Sequence, residues 1–234
     1  MILILCSVLL IFYISCKKDP HITGLMEKDI LKESLNIPQV PFNYSSPDLP
    51  NFFNDYFVKV QDNTPANNKI TDWGATLGRV LFYDTRLSKN YTKSCASCHI
   101  QQFGFTDTAQ FSKGFMGGST KRHSMSLINA AFYMSGRFFW DERAATLEDQ
   151  VLMPIQDAVE MGMRLDSLEN RLRNTSFYPI LFKYAFGSSN ISSENISKAL
   201  AQFVRSMISF QSKYDLGRTL ASDKTEDFSN FTVE

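Results

Sequence analysis

Ser94-Cys95-Ala96-Ser97-Cys98-His99 is the stretch on which the reading of this chain turns. Two cysteines three apart on one helical turn, followed at once by a histidine, form the C-x-x-C-H pattern of c-type haem attachment. Each residue has a chemical task. The thiols of Cys95 and Cys98 add to the two vinyl groups of one porphyrin, and His99 sits under the iron as an axial ligand. A redox C-x-x-C pair would open a helix in a β-α-β context, and no such pattern surrounds the motif. A zinc site would need two more ligands; His21 and His123 are the other histidines, and neither is paired.

Outward from the motif, the chain reads as helices joined by long loops. On the N-terminal side Trp73, Leu77, Val80 and Leu81 lie on one helical face, and Asp84-Thr85-Arg86 ends that helix. The haem motif is expected to open a further helix. Residues 100–122, with four glycines at 104, 114, 117 and 118, read as a long loop. Short helices are expected over Ser126–Tyr133 and Leu147–Met153. Asp166-Ser167-Leu168-Glu169 has capping-box spacing and starts a helix to about Arg173. Pro179 suits the first turn of the next helix. Ile196, Ala199, Leu200, Phe203, Val204, Met207 and Ile208 make the clearest apolar stripe. Few segments alternate with period two. The fold class expected is all-α, a cytochrome c-like haem domain with long loops.

The ends differ in character. Ile2 to Ile14 is almost wholly apolar, short for a membrane span but suited to a signal-peptide core. It leads to Tyr13-Ile14-Ser15-Cys16 and then Lys17-Lys18-Asp19, which resembles a bacterial lipoprotein cleavage box with Cys16 as the lipidated residue; a cleaved secretory signal or an uncleaved anchor is the alternative. Residues 17–70, rich in Pro, Asn, Asp and Ser, read as a tether and irregular wrap, with a short helix near Leu25–Leu35. The expected division is 1–16 signal, 17–70 wrap, 71–216 haem domain and 217–234 linker. Location in the periplasm, anchored through lipid, follows from the signal and from haem attachment outside the cytoplasm.

Composition narrows the function classes. Lys+Arg and Asp+Glu are both 24 in 234 residues, so no basic footprint of a nucleic-acid binder is present. Four cysteines, two of them inside the haem motif, argue against a disulfide framework. Twenty phenylalanines suit either a helical core or the walls of an apolar cofactor site. For the sixth iron position the candidates are His123, Met116, Met125, Met161 and Met163, or no protein ligand at all.

The ordered set of motifs carries a resemblance. Leu77-Gly78-Arg79-Val80-Leu81-Phe82-Tyr83-Asp84-Thr85-Arg86-Leu87-Ser88 precedes the haem motif. Gly104-Phe105-Thr106-Asp107, then Lys121 through Ala131, then Phe139-Trp140-Asp141-Glu142-Arg143-Ala144 follow it. Leu147-Glu148-Asp149-Gln150, Pro154-Ile155, Val159-Glu160-Met161-Gly162 and Ser212-Lys213-Tyr214-Asp215 complete the order. Over about residues 71–234 this resembles the bacterial di-haem cytochrome c peroxidases and their tryptophan-tryptophylquinone-forming relatives.

The resemblance implies two cytochrome c-like domains, the N-terminal one peroxidatic. The polar end of this sequence reads as the run-in to a second haem domain, expected in a longer protein. The implied activity is reduction of hydrogen peroxide with electrons from a donor cytochrome c or similar small protein; the alternatives are a mono-haem electron-transfer cytochrome without turnover, and a relative that oxidises a protein side chain. By the same resemblance Glu160 is the acid–base carboxylate on the peroxide side, Gln150 its polar neighbour, and Trp140 an electron path between haems. Residues 100–122 lack the histidine that caps the iron in many members, so an open iron is expected. His123 stands where many members have an Asn tied to an interdomain calcium, which argues against calcium. Glu142 replaces the usual glycine.

Overall fold

The computed structural model describes residues 20–221, 223 and 225–231. The apolar run 2–14, Cys6 and Cys16 lie outside the described residues. Eight α-helices are found among the described residues, with no strand beyond isolated bridges. They are α1 (Pro20–Ser34), the single turn α2 (Tyr56–Lys59), α3 (Asp72–Tyr83), α4 (Leu147–Gln156), α5 (Leu165–Arg173), α6 (Tyr178–Phe186), α7 (Ser193–Arg205) and α8 (Lys213–Leu220). The all-α expectation holds. None of these helices is long and apolar enough to cross a membrane.

The α3–α7 pair is the centre of the fold. Thr71 caps α3 by accepting the Gly74 amide at 3.1 Å, and Ser192 caps α7 by accepting the Asn195 amide at 3.2 Å. Leu77, Leu81 and Phe82 of α3 face Ile196, Ala199, Leu200, Phe203 and Val204 of α7, all buried. Burying each such side chain contributes about 1.5–3 kcal/mol. Gly78 makes the close crossing feasible: a Cβ there would collide with the Ala199 carbonyl. Of the predicted stripe, Met207 and Ile208 fall beyond the end of α7.

A buried polar network ties the wrap to this pair. Arg205, 2% exposed, forms a bidentate pair with Glu148 of α4 at 2.6 and 3.1 Å and donates to Asn63 at 3.1 Å. Asn68 donates to Glu148 at 2.6 Å and accepts from Gln202 at 2.8 Å, and Gln202 accepts the Thr71 amide at 2.8 Å. Burial raises the Glu148 carboxyl, but the bonds from Arg205 and Asn68 outweigh it and hold the group below its ordinary value. Further along the wrap, the Tyr44 and Ser45 amides donate to Asp72 at 2.9 and 2.8 Å, over the first turn of α3.

Four local expectations are corrected. The haem motif opens only a 3₁₀ turn, Cys95–Ser97, and the chain is extended again by Ile100. Over 126–133 the helical part is one 3₁₀ turn, Ala130–Phe132, because Asn129 before it is left-handed at φ 61°. Asp166 does not cap α5: the helix starts at Leu165, and the carboxylate pairs with Arg164 instead. Finally, α8 follows α7, closed by reciprocal bonds between Ser212 and Asp215. It runs across position 217, where a linker was expected to begin.

Candidate functional site

The haem-motif turn is tightly tied. Ser94 donates its amide to the Ser97 hydroxyl at 3.0 Å, and the Cys98 and His99 amides both reach the Cys95 carbonyl, at 3.1 and 2.9 Å. This puts Cys95, Cys98 and His99 on one turn. Both cysteines are free thiols. Burial pushes Cys95 up to about 12, with the second thiol adding to the effect, and burial also raises Cys98. Both therefore stay protonated and unpaired near neutral pH, in the state that a vinyl addition consumes.

His99 could hold a metal through its ring. Its Nδ1 lies 2.9 Å from the Phe105 carbonyl. A carbonyl only accepts, so Nδ1 carries the proton and Nε2 keeps its lone pair. Burial lowers the ring's pKa against the opposing pull of the Phe105 and Met125 carbonyls, which keeps it neutral. The loop that delivers the carbonyl explains Gly104-Phe105-Thr106. Gly104 and Phe105 are left-handed at φ 67° and 56°, and Ile100 and Thr106 form an isolated bridge, so the chain doubles back beneath the imidazole. A neutral histidine with the correct tautomer beside two free thiols fits a covalent haem.

Downstream, the long loop is held by side chains rather than by a backbone ladder. The Thr106 hydroxyl meets His123 Nε2 at 2.9 Å, and His123 Nδ1 meets the Ala109 carbonyl at 3.0 Å. With both nitrogens engaged, His123 is a structural pin. The Trp140 indole N–H donates to the His123 carbonyl at 2.9 Å, yet the ring is 60% exposed. Trp140 thus stands at the surface, hooked from behind. Its hairpin, residues 137–144, is closed by the Phe138–Ala144 bridge, with Phe139 and Glu142 left-handed at φ 74° and 51°. At Glu142, in the place of the usual glycine, the strain is offset by bonds: the Tyr133 hydroxyl donates to its carboxylate, and Arg137 donates to its carbonyl at 3.0 Å.

Glu160 lies on the turn after α4. Asp157 caps that turn by accepting the Val159 and Glu160 amides at 2.7 and 3.0 Å. The loop at 114–115 packs on it, with Phe115 donating to the Glu160 carbonyl at 3.0 Å. The Glu160 side chain enters a cavity of about 360 Å³ with Phe139, Arg143, Met153, Pro154, Gln156 and Asp157. Burial raises its pKa, Asp157 adds to the rise, and Arg143 opposes it. The carboxylate is close enough to Cys95 and Cys98 to act on both electrostatically.

Gln150 is placed differently. It sits half-buried on α4 and is not among the cavity residues. Met161 and Met163 are packed in the core, and Met116 is 77% exposed. Arg143 belongs to the cavity but escaped the sequence reading, since only its neighbours' folding brings it there. Its guanidinium stacks 3.6 Å above the Phe139 ring and bonds Asp141 at 2.8 Å.

The chain is similar over most of its described length to several known proteins. A family model described as di-haem cytochrome c peroxidase matches residues 73–224. The methylamine utilization protein MauG of Methylophilus methylotrophus is 37% identical over 160 residues, 68% of this chain and 47% of that protein. Cytochrome c551 peroxidase of Nitrosomonas europaea is 32% identical over 171 residues, 73% of this chain and 49% of that protein. Among solved structures, a MauG-like protein associated with microbial copper homeostasis superposes with a TM-score of 0.60 at 37% identity, covering 64% of this chain and 45% of that one. The chain spans about half the length of the curated relatives it matches.

Proposed function

The chain belongs to the di-haem cytochrome c peroxidase family, and on that premise we propose that it carries one covalent haem c on Cys95, Cys98 and His99 and reduces hydrogen peroxide with electrons from a donor cytochrome c or a similar small protein. The observation that carries this reading is the Glu160 carboxylate, which faces a cavity within electrostatic range of both haem-motif cysteines. Held by Cys95, Cys98 and His99, a haem would supply the redox chemistry for peroxide reduction.

The chain's own residues manage the protons. Overall, hydrogen peroxide, two protons and two electrons give two waters, so one oxygen must lose a proton on binding and the departing oxygen must gain one. Glu160 can accept the first on a carboxylate oxygen and return it, as general base and then general acid. Burial suits it to both tasks, because its raised pKa brings the two protonation states closer in energy near neutral pH. His99, whose ring is held by the Phe105 carbonyl, would hold the haem iron.

The rest of the assignment concerns place and partners. We place the protein outside the cytoplasmic membrane, lipid-anchored at Cys16, on the strength of the apolar run 2–14 and the cysteine that follows it. A second haem domain, as the family implies, would store the second electron. Exposed Trp140 is the electron path we assign toward it.

Glu160→Gln tests the proposal. Peroxide-dependent oxidation of reduced cytochrome c should fall on the order of 10²-fold or more, with the haem spectrum kept. An unchanged rate removes Glu160 from the acid–base role.

A further inference from the structure

We propose that Arg143 makes the cavity selective for anionic ligands over neutral ones, so that hydroperoxide, once Glu160 has taken the proton of hydrogen peroxide, is held there as the anion. The inference rests on the haem-binding reading given above.

The cavity holds three charged side chains: Glu160, Asp157 and Arg143. Two are carboxylates, so an anion entering between them is repelled unless something offsets their charge. Asp157 already accepts two backbone amides, but those carry no net charge. Among the described residues lining this cavity, Arg143 is the cation. Cys95 and Cys98, the other titratable groups acting on Glu160's surroundings, are protonated thiols here and thioethers once haem is attached. The Phe115 loop packed on the turn presents a ring and backbone.

The guanidinium is held where it is needed. It stacks on Phe139 at 3.6 Å and bonds Asp141 at 2.8 Å. Asp141 does not cancel it, because Arg122 takes the other carboxylate oxygen at 2.7 Å. The three side chains together carry a net positive charge beside the cavity. The backbone on both sides is fixed by the Phe138–Ala144 bridge. Such a pre-set charge costs little reorganisation when an anion arrives. Arg143 is half-exposed, so salt should weaken its effect.

Two ligands of the ferric haem-loaded full chain read this out: azide, an anion, and imidazole, neutral at about pH 8. Arg143→Gln should weaken azide by about tenfold and leave imidazole nearly unchanged. Arg143→Lys keeps the charge and should restore most of the azide affinity. Arg122→Gln leaves Asp141 free to offset Arg143 and should lower the azide-to-imidazole ratio in the same direction, by less than Arg143→Gln does. A ratio unchanged in Arg143→Gln overturns the proposal while leaving the haem reading intact. If neither ligand binds the unaltered protein, the open-iron reading fails and this proposal falls with it.

Discussion

The α3–α7 core and the loop from Ser88 to Thr146 are built on opposite plans. In the core, two capped helices cross at Gly78 and share a continuous apolar face, and Arg205, the one charged side chain fully inside among the described residues, is met by Glu148 and Asn63. The loop has no α-helix. It is held by single pins such as Thr106 to His123, Trp140 to the His123 carbonyl, and Tyr133 to Glu142. The site is assembled from both sides of this contrast: Glu160 comes from the turn after α4, whose Glu148 pairs with core Arg205, whereas His99, Trp140 and Arg143 come from the loop. The difference teaches that stability and site geometry are held by largely separate sets of residues.

The largest test of that division is Arg205→Ala. It strands the Glu148 carboxylate in the interior and should cost about 3–5 kcal/mol, read as the shift in denaturant midpoint. A loss below about 1 kcal/mol would show that the network is not what binds wrap to core. Acid probes the same pair. Glu148 titrates lower folded than the ordinary 4.5, so the pair's stabilisation is complete above that value and fades as pH falls through the folded one. Stability should therefore drop on acidification, and the slope should shrink in Glu148→Gln.

Next in size is Gly78→Ala, expected to cost about 1–3 kcal/mol by forcing α3 from α7. Since helix propensity favours alanine, a stabilised Gly78→Ala protein would mean that the crossing is looser than described. The smallest effect belongs to the loop. Glu142→Gly relieves a left-handed backbone strain of about 1 kcal/mol and loses a hydrogen bond of about the same worth. The global midpoint should move by less than about 0.5 kcal/mol, while Trp140 fluorescence shifts as its hairpin loosens. A large stability loss there would erase the contrast between the two regions.

How much of this was legible in the sequence follows the same line. The core helices were, because Leu77, Leu81, Ile196 and Phe203 recur at helical spacing. What failed was local. The haem motif stops after one turn because the chain is already extended at Ile100, and over 126–133 no helix starts before the left-handed Asn129; no apolar period reports either. The helix α8 was not foreseen, because Tyr214, Leu216 and Leu220 are exposed and give no stripe against the core. Within the site, Cys95, Cys98 and His99 announce themselves by spacing. Glu160 needed the family resemblance, since nothing near it in sequence signals burial. Arg143 and the Arg205–Glu148 pair depend on long-range folding and left no local trace.

The hairpin at 137–144 faces two ways. Trp140 projects to the surface, while Phe139 and Arg143, its close neighbours in the chain, line the cavity. A protein that presses on the tryptophan therefore has a lever only a few residues long reaching the ligand pocket. Selection for a new redox partner on the outside would be felt as altered ligand preference on the inside.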